Sequence, residues 1–327
     1  MKLGLIDVGG GMRGTFAAGI LEYCLENNIN FDCCIGLSAG STNLVSFLAG
    51  QAGRNMRYYM EYAFRKDYSG LNCFLKTRNW LNLDYIYGTL ANSGGEDPID
   101  YKALKENPTE LFVVAEEIET GATKYFTKED FKQDNYSVLS ASCNIPILNR
   151  PVVIDGKKYY DGGFANSLPI DKALEEGCDK VVVILTRPLH IPRKPNRDKV
   201  FASLLGLRFK KAAERLASRA KEYNEKVEYV KKLQEEGKVL ILSPEEVYGL
   251  DTLTRNKEAM MKLYEDGRKA AEKIPEWIKE KTNNAKTKLE SKKEEIKTKA
   301  HDKAEEIKSK VDEQVEKIKS KKKSKNR

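Results

Sequence analysis

Short apolar runs alternate with stretches of helical periodicity over most of this chain. Leu3–Asp7 has the length and composition of a buried strand, and residues 15–27 place apolar side chains at helical spacing. Residues 111–116 and 124–127 are predicted as two strands joined by a hairpin turn, and residues 180–185 as a β-branched strand. Strands that alternate with helices in this way predict an α/β fold with parallel strands.

The C-terminal third has a different pattern. Residues 199–236 have the periodicity of one long amphipathic helix or a pair of helices, residues 239–242 are predicted as a strand, and residues 252–271 as another helix. We therefore predict a catalytic domain at residues 1–195, followed by an appended, mainly helical module at residues 196–275 that packs on the catalytic sheet.

A Lys/Glu-rich tail follows at residues 276–327. It holds 18 Lys or Arg and 11 Asp or Glu, which accounts for +7 of the net charge of +8. Its apolar positions recur every eleven residues, as at Ala285, Ile296 and Ile307, and this period gives a thin stripe along a helix. The stripe fits a solvated or disordered tail, a helix lying on anionic membrane, or a coiled coil. The rest of the chain is nearly neutral, so the basicity belongs to the tail, where it fits attraction to an anionic membrane surface or to nucleic acid, or only solubility. No nucleic-acid partner is expected.

Cysteine usage and hydropathy bear on the compartment. The six cysteines have no paired framework and no C-x-x-C spacing, which favours buried free thiols in a reducing environment. The N-terminus enters a strand pattern without the features of a secretory signal, and the longest apolar runs are too short to cross a bilayer. We predict a cytoplasmic protein. Peripheral contact of its tail with a membrane is compatible with this prediction.

The stretch Gly36–Gly40 has the spacing G-x-S-x-G around Ser38. It follows the apolar run of residues 31–35 and precedes a helix-like stretch, which is the setting of a nucleophile elbow. The helix N-terminus there favours the negative charge that develops in acyl transfer. The alternative is a Gly/Ser turn in which Ser38 only caps the helix.

A second glycine-rich loop, residues 9–14, lies between the first strand and the first helix. Its G-x-G-x-x-G spacing also occurs in dinucleotide folds, but Asp32 lies at the start of the second strand and not at its end, where such folds place their ribose-binding acid. An oxyanion hole made by the N–H groups of Gly10 and Gly11 is the better interpretation, because parallel strands bring both loops to one edge of the sheet. After both motifs, residues 51–95 are rich in aromatic side chains that fit either a helical core or an acyl pocket.

A serine nucleophile needs a base. His301 lies in the charged tail, and His190 lies in a proline-rich loop after a strand, where the order Ser38, Asp161, His190 matches a hydrolase triad. Only one strand precedes the elbow, however, which argues against that fold. The other candidate is Asp161, which closes a strand and is followed by Gly162 and Gly163 that allow a sharp bend.

Three of these motifs, in this order and at these separations, resemble the signatures of the patatin-like phospholipases. They are residues 9–14, Gly36–Gly40 and Asp161–Gly163, and residues 141–161 are similar to that family's approach to its catalytic aspartate. The matches span about residues 3 to 190. The resemblance implies a three-layer α/β sandwich with a central, mostly parallel sheet, here with a C-terminal helical extension.

The resemblance also implies roles for individual residues. Ser38 would be the nucleophile and Asp161 the base of a Ser-Asp dyad, with Gly10 and Gly11 in the oxyanion hole. The remaining motif glycines are Gly9, Gly14, Gly36, Gly40, Gly162 and Gly163. The implied substrates are phospholipids or other lipid esters, with no cofactor and no metal. Two alternatives stay open at this point: a His-dependent soluble serine esterase, and a non-catalytic lipid-binding or scaffolding protein.

Overall fold

An eight-stranded sheet lies at the centre of the protein in a computed structural model, which describes residues 1–279 apart from the Arg197 side chain. The strands are β1 (Leu3–Asp7), β2 (Cys33–Leu37), β3 (Glu110–Glu117), β4 (Ala122–Phe126), β5 (Val152–Ile154), β6 (Lys157–Asp161), β7 (Lys180–Ile184) and β8 (Val239–Leu242). The helices are α1 (Thr15–Glu26), α2 (Ala39–Leu48), α3 (Arg54–Met60), α4 (Leu71–Thr77), α5 (Tyr101–Glu106), α6 (Ser137–Ser142), α7 (Ile170–Glu175), α8 (Asn196–Gly206), α9 (Lys210–Glu235) and α10 (Lys257–Ala271), with a short π-helix at Tyr85–Leu90.

The strand order in the sheet is β5-β6-β3-β2-β1-β7-β8, with β4 paired to β3. β1 pairs in parallel with β2 and β7, β2 pairs in parallel with β3, and β7 with β8, whereas β4, β5 and β6 make the antiparallel pairs. The predicted α/β fold with a mostly parallel central sheet is confirmed. β8 comes from the C-terminal third and extends the same sheet beside β7.

Both faces of the sheet are covered by helices. Ile6, Ile35 and Val183 belong to one buried cluster with side chains of α7 and α9. Their neighbours along the strands point to the opposite face, because side chains alternate along a strand, and α1 and α2 lie there. Since the parallel strands are buried on both faces, they are continuous apolar runs in the sequence.

Several predicted boundaries needed correction. The second strand begins at Cys33 and not at Asp32, whose carboxylate accepts the N–H of Leu3 (2.6 Å) and whose backbone N–H donates to the carbonyl of Leu3 (2.8 Å). The long helical pattern is a pair, α8 and α9. The helix predicted from residue 252 begins only at Lys257, where the side chain of Asn256 caps it by accepting the N–H of Ala259.

Residues 1–274 form one compact unit and residues 275–327 a second. The boundary that we placed at residues 195/196 stays a prediction. Most of the tail, including its eleven-residue repeat, lies outside the described residues. Within residues 1–279, no helix combines the length and the apolar composition that crossing a bilayer requires.

α10 crosses α1 at very close range through a glycine on each helix. A Cβ added at Gly19 would overlap the carbonyl oxygen of Tyr264, and one added at Gly267 would overlap that of Phe16. Because neither position has a side chain, the two backbones are in contact. This contact fixes α10 on α1, the helix that follows the glycine-rich loop.

We predict that Gly267→Ala lowers the free energy of unfolding by about 1–3 kcal/mol, because the added methyl group forces the helices apart. Urea unfolding followed by circular dichroism measures the change. Gly88→Ala is the matched control: Gly88 is also helical but has no atom within 4 Å of an added Cβ. The prediction is wrong if the two variants unfold alike.

Candidate active site

Ser38 lies in the sharp turn between β2 and α2. Its backbone has φ 51° and ψ −132°, a conformation that a residue with a side chain adopts only at a cost, and such strain is concentrated at functional sites. Added Cβ atoms at Gly36 and Gly40 would overlap the backbone of Ser41 and the carbonyl of Asp7. The two glycines therefore permit the turn that presents the half-buried Ser38 side chain.

Asp161 reaches Ser38 because β2 and β6 share one edge of β3. β2 pairs with β3 as far as Leu37 opposite Val114, and β6 pairs from Asp161 opposite Ala115. β4 occupies the other edge of β3 over the same stretch. The last residue of β6 thus lies directly beyond the last residue of β2, next to Ser38.

The two side chains lie close to each other. The Ser38 hydroxyl is near enough to the carboxyl group of Asp161 to lower the pKa of that group, which is only 5% exposed. The N–H of Gly163 donates to Oδ1 of Asp161 (2.8 Å), and the backbone of Asp161 donates to the carbonyl of Asn144 (2.9 Å). Asp161 therefore also caps the turn at Gly162–Phe164. The same residue forms the turn and lies next to Ser38.

Ser142 completes the junction of the strands. Its Oγ accepts the N–H of Ser38 (2.9 Å) and donates to the carbonyl of Val114 (2.7 Å). The side chain thus pairs two backbone groups at the point where β2 leaves the ladder. We did not predict this role, because nothing in the local sequence around Ser142 indicates a contact 104 residues away.

The glycine-rich loop stands beside the elbow. Gly9, Gly10 and Gly11 have φ values of 64°, 128° and 59°, a region that favours glycine. The Gly9 N–H donates to the buried Asp7 carboxylate, and its carbonyl accepts the hydroxyl of Thr186. Within residues 1–279, the N–H groups of Gly10 and Gly11 donate to no protein acceptor, which leaves both for a ligand oxygen.

Asp7 and Asn43 attach this loop to α2. Asn43 donates to Asp7 (3.1 Å) and to the carbonyl of Gly14 (3.2 Å), and it accepts the hydroxyl of Tyr59 (3.1 Å). Burial raises the pKa of Asp7 to about 6, against the lowering effect of its hydrogen bonds from Gly9 and Asn43. An added Cβ at Gly14 would overlap the Tyr59 hydroxyl, which explains the last glycine of the motif.

A cavity opens next to Ser38. The aromatic-rich segment supplies Tyr58, Tyr59, Tyr68 and Tyr87 to its wall. The rest of the wall is formed by Gly11, Met12, Ser38, Ala39, Thr42, Asn43, Asn55, Leu81, Ile86, Cys143, Ile145, Thr252 and Leu253. The lining is mainly aromatic and aliphatic, and it includes the serine and one glycine of the loop. Its use as an acyl pocket stays a prediction.

Two family models match this chain. One, described as Patatin-like phospholipase, matches residues 8–174, and it contains the glycine loop, the elbow and Asp161. The chain belongs to the patatin-like phospholipase family. The other model, described as Domain of unknown function (DUF6363), matches residues 209–281.

The chain matches its relatives over different shares of their length. Protein YjjU of Escherichia coli is 29% identical over 207 residues, or 63% of this chain and 57% of that protein. Lysophospholipase NTE1 of Kluyveromyces lactis is 25% identical over 187 residues (56% of this chain, 12% of the relative). Patatin-like phospholipase domain-containing protein 7 of Mus musculus is 26% identical over 188 residues (56% and 13%). The chain thus spans just over half of the first relative and a small part of the other two.

One solved structure is also similar. It is VipD from Legionella pneumophila, with a TM-score of 0.43 and 13% sequence identity, covering 84% of this chain and 66% of that one.

The segment between β8 and α10, which lies in the domain of unknown function, forms part of the candidate site. The carbonyl of Thr252 accepts the N–H of Met12 (3.0 Å), and an added Cβ at Gly11 would overlap that same carbonyl. Thr252 and Leu253 also line the cavity. This contribution was not predicted from the sequence, because residues 252–271 were assigned to a helix.

Ion pairs and hydrogen bonds hold that segment in place. Asp251 pairs with Arg13 of the glycine loop (2.9 Å), and Arg255 donates to the carbonyls of Ala63 (2.6 Å) and Ser69 (3.4 Å). The loop that offers two amide groups to a ligand is thus supported on its far side by residues from the C-terminal third.

α9 contributes a positive charge near Asp161. Burial raises the pKa of Asp161, whereas the hydrogen bonds from Ser38 and Gly163 and the charges of Arg219 and Arg193 lower it. Arg219 lies 4.1 Å over the Phe164 ring and 3.7 Å from Asp198, and its Nε has no hydrogen-bond partner in the described chain. Its charge is thus available to the carboxylate.

The other candidates do not meet at this site. His190 is exposed in the loop after β7, and within residues 1–279 it makes no contact with Ser38 or Asp161. His301 lies outside the described residues. In the described part of the chain, no three His, Cys, Asp or Glu side chains are grouped so that they could hold a metal ion.

We predict that Gly11→Ala lowers turnover by about a hundredfold, because the methyl group displaces the loop from Thr252 and with it an oxyanion donor. Steady-state kinetics on a soluble ester measure the loss. Gly53→Ala is the control, since Gly53 has a similar φ of 71° but only the end of the Arg57 side chain near an added Cβ. Equal losses in both variants would mean that backbone strain alone is responsible.

We also predict that kcat/KM rises with pH along an acid limb whose midpoint lies above the ordinary carboxyl value, because Asp161 must be ionised to accept a proton and burial raises its pKa. Arg219→Met removes a positive charge that lowers this pKa, so the midpoint moves to higher pH by about one unit. Arg219→Lys keeps the charge and moves it less. An unmoved midpoint in Arg219→Met would assign the limb to another group.

Proposed function

We propose that this protein is a lipid acyl hydrolase that cleaves carboxylic esters of phospholipid or lysophospholipid through an acyl-enzyme on Ser38. One observation supports the proposal most directly: a strained serine lies close to a buried carboxylate and beside two amide groups, and it lines a mainly apolar cavity. Membership of the patatin-like phospholipase family supports the substrate class.

In the first step, Oγ of Ser38 attacks the ester carbonyl carbon, and Asp161 accepts the hydroxyl proton. The N–H groups of Gly10 and Gly11 and the N-terminus of α2 stabilise the oxyanion that forms. The tetrahedral intermediate then collapses, its bond to the alcohol breaks, and Asp161 returns the proton to the leaving oxygen. The acyl group remains on Ser38.

In the second step, water replaces the alcohol. Asp161 takes a proton from the water as its oxygen attacks the acyl carbon, and the same amides hold the second oxyanion. Collapse releases the fatty acid and returns the proton to Ser38. A carboxylate can act without imidazole here because burial raises its pKa and so makes it a stronger base.

The cavity gives a reason for lipid substrates. Its wall is mainly tyrosine and aliphatic side chains, which suit an acyl chain better than a polar acyl group. The alternative of a His-dependent esterase has no support from the position of His190, which is exposed.

We predict that Ser38→Ala and Asp161→Asn each lose about a thousandfold or more of ester hydrolysis, as loss of one member of a catalytic unit generally does. His190→Ala should retain activity. Hydrolysis of lysophospholipid and diacyl phospholipid, with the fold checked by circular dichroism, measures these effects.

A fluorophosphonate probe separates the remaining alternative. It should label the unchanged chain at Ser38 and not label Ser38→Ala. A folded chain that the probe does not label would instead favour a lipid-binding or scaffolding role, and a folded but inactive His190→Ala would exclude the dyad.

A further inference from the structure

α8 exposes apolar side chains where a surface helix usually has polar ones. Its buried side chains are Asp198, Ala202 and Leu205, which follow one another at helical spacing and face α9. Four large apolar residues on and directly after the helix are between 41% and 87% exposed: Val200, Phe201, Leu204 and Leu207. An apolar patch of this kind on a surface marks an interaction site.

The exposed residues share one face. Val200, Leu204 and Leu207 are four and three residues apart, so they lie above one another on the side of α8 that points away from α9. Ile191, in the loop that precedes the helix, is exposed as well. α8 is thus attached to the protein by a few buried side chains, and its solvent-facing side is apolar.

The charges around this face are positive. Lys194, Lys199, Arg208 and Lys210 are exposed. The acidic residue of this segment is Asp198, which is buried and paired with Arg193 (3.2 Å) and Arg219 (3.7 Å). A basic segment with an outward apolar face has the composition of a helix that lies in the interface of an anionic bilayer. A second copy of the chain would present the same positive charge, and repulsion disfavours it as the occupant.

α8 is attached close to the catalytic carboxylate. Its Ala202 and Leu205 pack in one cluster with Tyr160, the neighbour of Asp161, and with Phe164. Asp198 pairs with Arg219, whose charge acts on Asp161. Residues 196–206 lie between the two regions that the family models match, so family membership does not account for this helix.

We propose that α8 docks the protein on bilayers that contain anionic phospholipid, with Val200, Phe201, Leu204 and Leu207 inserted among the acyl chains. The basic side chains contact phosphate groups, and the catalytic site is held at the surface that contains its substrate. The purpose of the docking rests on the proposed function, whereas the docking itself requires no reaction.

Flotation of the full chain with vesicles tests this. The unchanged protein should float with vesicles of phosphatidylcholine and phosphatidylglycerol, and much less with phosphatidylcholine alone. The double variant Leu204→Asp/Leu207→Asp should lose about tenfold or more of the bound fraction, because two inserted apolar residues become charged. Lys199→Glu/Lys210→Glu should lose binding to the anionic vesicles in particular.

α4 offers a matched control. Leu71 and Leu75 are 61% and 64% exposed at helical spacing, but Lys76 there pairs with Asp67 at 3.7 Å. Leu71→Asp/Leu75→Asp should float like the unchanged protein. The proposal is overturned if this control loses binding. It is also overturned if Leu204→Asp/Leu207→Asp floats normally, which is the result expected if the tail at residues 276–327 attaches the protein to vesicles.

Two further measurements separate docking from catalysis. Leu204→Asp/Leu207→Asp should hydrolyse a soluble short-chain ester at the normal rate but hydrolyse vesicle phospholipid about tenfold more slowly, in line with its binding. Ser38→Ala should float normally. If the unchanged chain floats normally but hydrolyses neither substrate, the proposed function is refuted and the docking is not. If Leu204→Asp/Leu207→Asp loses hydrolysis of both substrates, the substitutions have damaged the site and selective docking is refuted.

Discussion

Two strands, β2 and then β6, pair with the same edge of β3, and the candidate site depends on this arrangement. β2 runs parallel to β3 and β6 runs antiparallel to it, so their chains approach each other and stop opposite Val114 and Ala115. Neither chain can continue, so both must turn away from the sheet at the same point. Gly162 makes this possible for β6, since a Cβ there would overlap the Val114 carbonyl. The serine and the aspartate are the residues at the two ends.

Burying a carboxylate at this junction is costly unless it is hydrogen-bonded or paired. Asp161 has the Ser38 hydroxyl, the Gly163 N–H and the charge of Arg219. The arginine comes from α9, and the support of the glycine loop comes from Thr252, so both belong to the region matched by the domain of unknown function. That region also adds β8 to the sheet and fixes α10 on α1. The domain of unknown function is therefore part of the structure that positions the candidate catalytic residues.

The sequence was informative where the signal is local. The turns at Ser38 and Asp161 and the loop at Gly9–Gly11 depend on glycines within a few residues, so they could be predicted, as could the alternation of strands and helices. Ser142, Arg219 and Thr252 could not, because each acts through a contact more than 50 residues away along the chain. The start of α10 could have been predicted, because Asn256 is a favoured capping residue, but the helix was assigned from residue 252.

Glu116 affects how the charge of α9 is shared. It is buried on β3, neither of its oxygens has a hydrogen-bond partner in the described chain, and burial raises its pKa to about 8 against the charges of Arg215 and Arg219. Burial thus favours the protonated form of Glu116, which does not compete for the charge of Arg219. The positive charge then acts on Asp198 and Asp161. A second ionised carboxylate at Glu116 would raise the pKa of Asp161 further, since the two repel each other. A neutral Glu116 therefore adds no second negative charge beside Asp161, the proposed base.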